Sequence, residues 1–201
     1  LGLLGFIDDY LKVVKRVPKG LIGRYKLIGQ FSLGAVIGSI LYFWPQVPQI
    51  ATLTSVPFFK DLVIDFHWFY IPMVALVIAA TSNAVNLTDG LDRLAIGIVG
   101  ITGAAFAVLC YITGRVDFSH YLHIIYVPGS GELTVYCAAL VGAALGFLWF
   151  NAHPAQVFMG DTGALALGGA LGTLAVLVKE ELLLIVLGGI FVAEVLSVVI
   201  Q

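Results

Sequence analysis

Three short stretches carry side chains able to do chemistry on a charged substrate. In GFIDDYLK, the adjacent carboxylates Asp8 and Asp9 end an apolar run, and Lys12 follows within helical reach of both. Paired carboxylates suit a magnesium-phosphate centre, because a hard cation takes oxygen ligands and keeps some waters. The plain alternative is an acidic-basic flank at a helix end. In SNAVNLTDGLDRLAIG, Asn83, Asn86, Asp89 and Asp92 recur every three residues, so on a helix they form a drifting polar stripe. That many amides and carboxylates beside lipid are costly unless they face protein, water or ligand. A binding role therefore outweighs simple capping, in which Thr88 or Asp89 closes a turn at Gly90. In FNAHPAQVFMGDTGALALGG, Asp161 and Thr162 sit just before a glycine-rich helix start, where free amides and the positive dipole end favour a phosphate; Asp161 would also serve there as a plain N-cap. His153 in this loop can titrate, Asn151 can hydrogen-bond a base and Phe158 can stack on one, although all three also suit a loop at the membrane interface.

The elements that must position these residues are written in the composition. The chain has 201 residues, 60% hydrophobic and only 11% charged, whereas a soluble domain is typically about 45–50% apolar. Its solvent is the bilayer. A helix rises about 1.5 Å per residue and the hydrocarbon core is about 30 Å thick, so a span needs roughly 20 apolar residues. Six such runs are expected: Leu27 to Trp44, Trp68 to Leu87, Leu94 to Thr113, Leu133 to Phe150, Gly163 to Val178 and Leu182 to Gln201, after the end of a truncated span at Leu1 to Ile7. The fold class is thus all-α, a polytopic transmembrane bundle forming one domain over 1–201. The opening inside LGLLGFI and the end at Gln201 read as a fragment cut on both sides. Small residues four apart, Gly34 and Gly38 or Ala164, Gly168 and Gly172, allow close helix packing. HIIYVPGSGELTV alternates around a Pro-Gly-Ser-Gly turn and reads as a short extracytoplasmic β-hairpin. Cys110 and Cys137 fall in apolar runs and read as buried hydrophobes.

Orientation follows from the basic residues, which favour the cytoplasmic side. The first loop holds Lys12, Lys15, Arg16, Lys19, Arg24 and Lys26. Fixing it inside and alternating through the spans puts Arg93 inside as well, and Lys60, Arg115 and Lys179 outside. The same alternation, not fitted to the acids, brings Asp8, Asp9, Asp89, Asp92 and Asp161 to the cytoplasmic mouth. Acidic turns far apart in sequence are therefore expected to meet in one site at the membrane surface. A secondary transporter would carry its carboxylates near mid-bilayer, where only Glu194 is expected. The net charge of −2 gives no sign of a nucleic-acid partner, and none is expected.

Taken together and in this order, GFIDDYLK, NAVNLTDGLD and NAHPAQVFMGDTGALALGG resemble the phospho-N-acetylmuramoyl-pentapeptide transferase family, within the polyprenyl-phosphate sugar-phosphate transferases, and the likeness covers nearly the whole chain. NLTDGLD is shared by the wider superfamily, while PAQVFMGD with FVAEVLSVVIQ looks like the muramoyl branch. Arg93 stands where the family pattern has glycine, which bears on the contacts of Asp92. The resemblance implies a multi-pass protein of the bacterial inner membrane that joins UDP-N-acetylmuramoyl-pentapeptide to undecaprenyl phosphate at the cytoplasmic face, giving lipid I and UMP with magnesium. The nearest rival is a sister enzyme with another UDP-sugar donor. A homodimer is a family expectation. By the same likeness Asp161 is the principal magnesium ligand, Asp8 assists the attacking lipid phosphate as base or nucleophile, Asp9 orients the metal or Lys12, and Lys12 neutralises phosphate charge. Asn83, Asn86, Asp89, Asp92, Asn151 and Phe158 would hold the nucleotide sugar.

Overall fold

The computed structural model describes residues 1–90 and 94–200. Nine helices account for most of these: α1 (Gly2–Val13), α2 (Gly23–Phe43), α3 (Tyr70–Thr88), α4 (Leu94–Thr113), α5 (Val116–Leu122), α6 (Leu133–Asn151), α7 (Gly160–Leu177), α8 (Glu181–Leu187) and α9 (Gly189–Ile200). Five segments, in α2, α3, α4, α6 and α7, are long and apolar enough to cross a membrane. The helices pair as α2 on α3, α3 on α7, α1 on α7 and α4 on α6. This is an integral membrane protein, a helical bundle. Large apolar side chains face outward along the spans, for example Ile101, Val135 and Leu145. Trp44, Trp68 and Trp149 stand exposed near span ends, where an amphipathic ring suits the headgroup level.

Small residues set the close approaches. A Cβ on Gly34 would come within 2.7 Å of Ala75 Cα on α3, and one on Gly168 within 2.5 Å of the Thr81 carbonyl oxygen. The four-residue spacing seen in the sequence is therefore used for helix contact, as lipid offers no hydrophobic drive for association. Ser82 adds a bond across the α3–α7 seam, its hydroxyl donating to the Leu165 carbonyl at 3.1 Å. The thiols of Cys110 and Cys137 lie buried, 3.8 Å apart, among Val99, Phe106 and Leu140.

Two expectations need correction. The last span is broken: α8 and α9 meet at a bend of 76° around Gly188. The strand pair lies in the other long connection, with β1 (Leu53–Ser55) antiparallel to β2 (Val63–Asp65) and Thr54 facing Ile64. The segment from His123 to Val135 forms no hairpin; it runs as loop, a 3-10 turn at Ser130–Glu132 and the start of α6. Bonds to the end of α4 hold it there, the Val127 amide to the Thr113 carbonyl at 2.9 Å and the Ser130 hydroxyl to the Cys110 carbonyl at 3.0 Å. A strand cannot pair with its neighbour when those groups already cap a helix.

Candidate active site

The acidic turns meet at one end of the bundle. α1 and α7 approach so closely there that a Cβ on Gly5 would lie 2.2 Å from the Asp161 carbonyl oxygen. This contact aligns Asp8 and Asp9, one turn along α1, with the first turn of α7. Asp8, Asp9 and Asp161 each present a carboxylate oxygen, and these atoms lie within 4.8 Å of one another.

Two ammonium groups hold the carboxylates together. Lys12 Nζ lies 2.8 Å from Asp161 Oδ2 and also bridges to Asp8 Oδ2. Lys26 Nζ lies 2.7 Å from the same Asp161 oxygen and 3.3 Å from Asp8 Oδ2. The loop between α1 and α2 folds back over Asp8 through Gly20, at φ 56°, and the Leu21 amide donates to Asp8 Oδ1 at 2.6 Å. Asp8 is thereby buried to 1% exposure with its charge fully answered. Burial works against the charge on Lys12, but the Asp161 and Asp8 carboxylates outweigh it and hold the ammonium above its ordinary range.

Asp9 turns the other way. Its carboxylate accepts from the Asp161 amide at 3.2 Å, the Thr162 amide at 2.8 Å and the Thr162 hydroxyl. It is thus a cap for α7 supplied by a different helix, satisfying amides that a helix start leaves without intrahelical partners. The reading of the α7 start as an open phosphate cradle is corrected at those two amides.

Asp89, at the end of α3, joins the cluster from a third direction. Burial pushes its carboxyl up to about 6; the Gly160 amide bonded to it pulls the other way, and the negative charges of Asp161 and Asp9 add to the rise. Asn83 lies deeper, in a reciprocal amide pair with Gln30 of α2, donating at 2.6 Å and accepting at 3.3 Å, with a further bond to the Ala79 carbonyl. Asn86 stands half-buried between Asn83 and Asp89 on the same helix. Asn151 is buried at the end of α6 and donates to the Val157 carbonyl at 2.9 Å, closing the loop that carries the exposed Phe158. Asp92 and Arg93 lie outside the described residues.

Lys26 is the site residue that sequence reasoning missed. The sequence pattern reads it only as loop charge, yet it occupies the first turn of α2, where the helix dipole disfavours a cation. A lysine in that position needs a carboxylate from elsewhere, and that was the available signal.

The sequence pattern described as glycosyl transferase family 4 matches residues 1–179. The chain belongs to that family. It is 56% identical over 200 residues to the phospho-N-acetylmuramoyl-pentapeptide-transferase of Thermodesulfovibrio yellowstonii, 54% over 201 to that of Chlorobium phaeobacteroides strain BS1, and 56% over 200 to that of Citrifermentans bemidjiense. Each alignment takes in all of this chain and 54–55% of the relative. The chain therefore spans about half the length of the curated relatives it matches. Within glycosyl transferase family 4, its acidic cluster is an oxygen-rich centre suited to a hard divalent cation.

Proposed function

We propose that the full-length protein transfers phospho-N-acetylmuramoyl-pentapeptide from UDP to undecaprenyl phosphate at the cytoplasmic face of the bacterial inner membrane, giving lipid I and UMP. The observation that carries this reading is the meeting of Asp8 and Asp161 across two lysines at the end of a membrane bundle. Phosphoryl transfer between two anions depends on positioning and charge neutralisation far more than on covalent chemistry by the protein. Asp8, Asp9 and Asp161 against two ammonium groups leave one negative charge in excess, and an ionised Asp89 adds another, which fits a bound cation. Asp161 would be the principal ligand of magnesium, with Asp8 beside it and Asp9 orienting Asp161 through its amide, and the metal when bound would supply Lewis-acid polarisation of a phosphoryl oxygen.

The chain's own residues do the rest. Asp161 Oδ2 is shared by Lys12 and Lys26, so either ammonium can turn from it toward a phosphate oxygen. Asp8 serves the lipid phosphate as base or nucleophile, a role that requires the loop carrying Gly20 and Leu21 to lift from it. Asn86, Asp89, Asp92, Asn151 and Phe158 hold the nucleotide sugar; Asn83 supports them through Gln30. An apolar groove of about 400 Å³ runs between α3, α7, α8 and α9 and reaches Val85, four residues from Asp89. Its lining suits a polyprenyl chain lying along the bundle with its phosphate at the carboxylates.

The test is UMP release by the full-length protein from UDP-N-acetylmuramoyl-pentapeptide with undecaprenyl phosphate, with and without magnesium. Release that needs both substrates and the metal, and that is lost in Asp161→Ala, is the expected result. Equal turnover with UDP-N-acetylglucosamine as donor would move the protein to a sister activity. Full turnover in a folded Asp161→Ala protein would remove the assigned centre.

A further inference from the structure

The far end of the bundle carries a second buried charged group that the proposed transfer does not use. Lys179 sits in the turn between α7 and α8 at φ 64°, a left-handed position more often filled by glycine or asparagine. The whole of α7, about 27 Å of helix, separates it from the carboxylates. Its ammonium is buried and donates at 2.7 Å to the Ala51 carbonyl and at 2.7 Å to the Tyr70 hydroxyl, 4.5 Å from the centre of that ring. Tyr70 is fully buried in the first turn of α3. The Lys179 carbonyl in turn accepts from the Ser55 amide of β1 at 3.0 Å.

One residue therefore ties the strand pair, the start of α3 and the entry to α8. A buried ammonium is costly, and here no carboxylate approaches within salt-bridge distance among the described residues; two neutral acceptors, a ring face and the field of Glu181 answer it. Burial pushes Lys179 down to about 8, with the Glu181 charge pulling the other way. Glu181, the first residue of α8, is itself buried and turns to Thr54 of β1 without closing a hydrogen bond of good geometry. Thr54 and Glu181 form the end of the apolar groove remote from Asp89. The groove has α3 for one wall and α8 with α9 for the other, and those last two helices hang from the turn that Lys179 holds.

We propose that Lys179 is a positioning residue for the lipid acceptor, fixing the spacing of the two groove walls through Tyr70 on one side and the α8 entry on the other. The inference rests on the proposed transfer for its lipid, while the latch itself is independent of that reading. It assigns the broken span a defined shape set from the end opposite the chemistry.

The experiment uses the full-length protein and the variants Lys179→Met, which keeps the stem and loses the donors, and Lys179→Arg, which keeps charge and donors. Hydrogen exchange over residues 181–198 is read first, needing no substrate. Lys179→Met is expected to exchange there about tenfold faster, with α1 and the first turn of α7 unchanged. Steady-state kinetics should then show the KM for undecaprenyl phosphate raised about fivefold, the donor KM and kcat within about twofold of wild type, and recovery in Lys179→Arg. Unchanged exchange overturns the latch. Faster exchange with donor and acceptor KM rising together overturns the positioning role, since a merely structural lysine would do that. If Lys179→Met does not accumulate, Tyr70→Phe, which removes one acceptor, should move exchange and acceptor KM in the same direction by about twofold, and wild-type values of both would overturn the proposal. A wild-type protein without transferase turnover defeats the proposed function and leaves the exchange result to decide the latch.

Discussion

Lys26 and Asp161, 135 residues apart in sequence, are joined at 2.7 Å, and the oxygen that Lys26 reaches is the one that Lys12 also reaches at 2.8 Å. The pair locks the start of α2 to the start of α7 over the buried Asp8. Lys26 is the better shielded lysine, its side chain 14% exposed against 40% for Lys12. A charge held in a drier place stabilises developing anionic charge more strongly. Lys26→Met in the full-length protein should lower kcat about 10²–10³-fold, and Lys12→Met by a smaller factor. Saturating kinetics of UMP release check this; a Lys12→Met enzyme as slow as or slower than Lys26→Met would refute the ranking.

Asp9 should separate from Asp8 and Asp161 in its phenotype. Its carboxylate is committed to the Asp161 and Thr162 amides, so its loss uncaps α7. Asp9→Ala is expected to lower stability by about 0.5–2 kcal/mol, the usual worth of a lost cap. Asp9→Asn keeps an acceptor and should recover part of it. Thermal unfolding in detergent checks both, and a wild-type melting temperature for Asp9→Ala would contradict the cap.

The pH response should trace to Asp89. Its carboxyl is raised from an ordinary 3.8 to about 6, mainly by burial. Between those values the folded protein holds a proton that the unfolded chain releases, so the stability that Asp89 contributes is greatest at low pH and fades as pH rises toward 6. On the proposed role of Asp89 in holding the nucleotide sugar, donor binding has the opposite sign, because the charged carboxylate able to accept from a hydroxyl forms only as pH passes about 6. The donor KM should fall as pH rises through about 6 in the wild type. Asp89→Asn should flatten both profiles, and a donor KM that still falls through pH 6 in this variant would assign the titration elsewhere.

Much of this was legible in the residues. Runs near 20 apolar residues gave five unbroken spans within a few positions, because no other backbone arrangement satisfies its polar groups in lipid. Alternation through those spans then brought Asp8, Asp89 and Asp161 to one end without any contact being known. The bend at Gly188 was hidden for the same reason: Leu182 to Gln201 is apolar but for Glu194, Ser197 and Gln201, and hydropathy reports length, not direction. The strand pair was missed because three residues a side show too little alternation, while the Pro-Gly-Ser-Gly segment offered a turn without free strand edges. Asp9 as a cap for another helix, and Lys26 as partner of Asp161, depend on which helices touch, and spacing along one helix is silent on that.

Gly5 is where helix contact and chemistry meet, and a single methyl group tests the connection. Its Cβ would stand 2.2 Å from the Asp161 carbonyl oxygen, 2.5 Å from the carbonyl carbon and 2.7 Å from Thr162 Cα. All three are backbone atoms of the first turn of α7, so no side chain can rotate away and the two helices must part by about 1 Å, at a cost near 1–3 kcal/mol. Parting them withdraws Asp161 from Asp8 and Lys12, and a misplacement of about 1 Å can cost about 10²-fold in rate. Gly142 on α6 has nothing within 4 Å of its would-be Cβ, so Gly142→Ala should leave turnover unchanged and gain about 0.5–1 kcal/mol from reduced backbone freedom in the unfolded chain. Measured together, Gly5→Ala should lose about 10²-fold in kcat while Gly142→Ala does not. Equal turnover of the two would mean that the α1–α7 contact does not position the carboxylates.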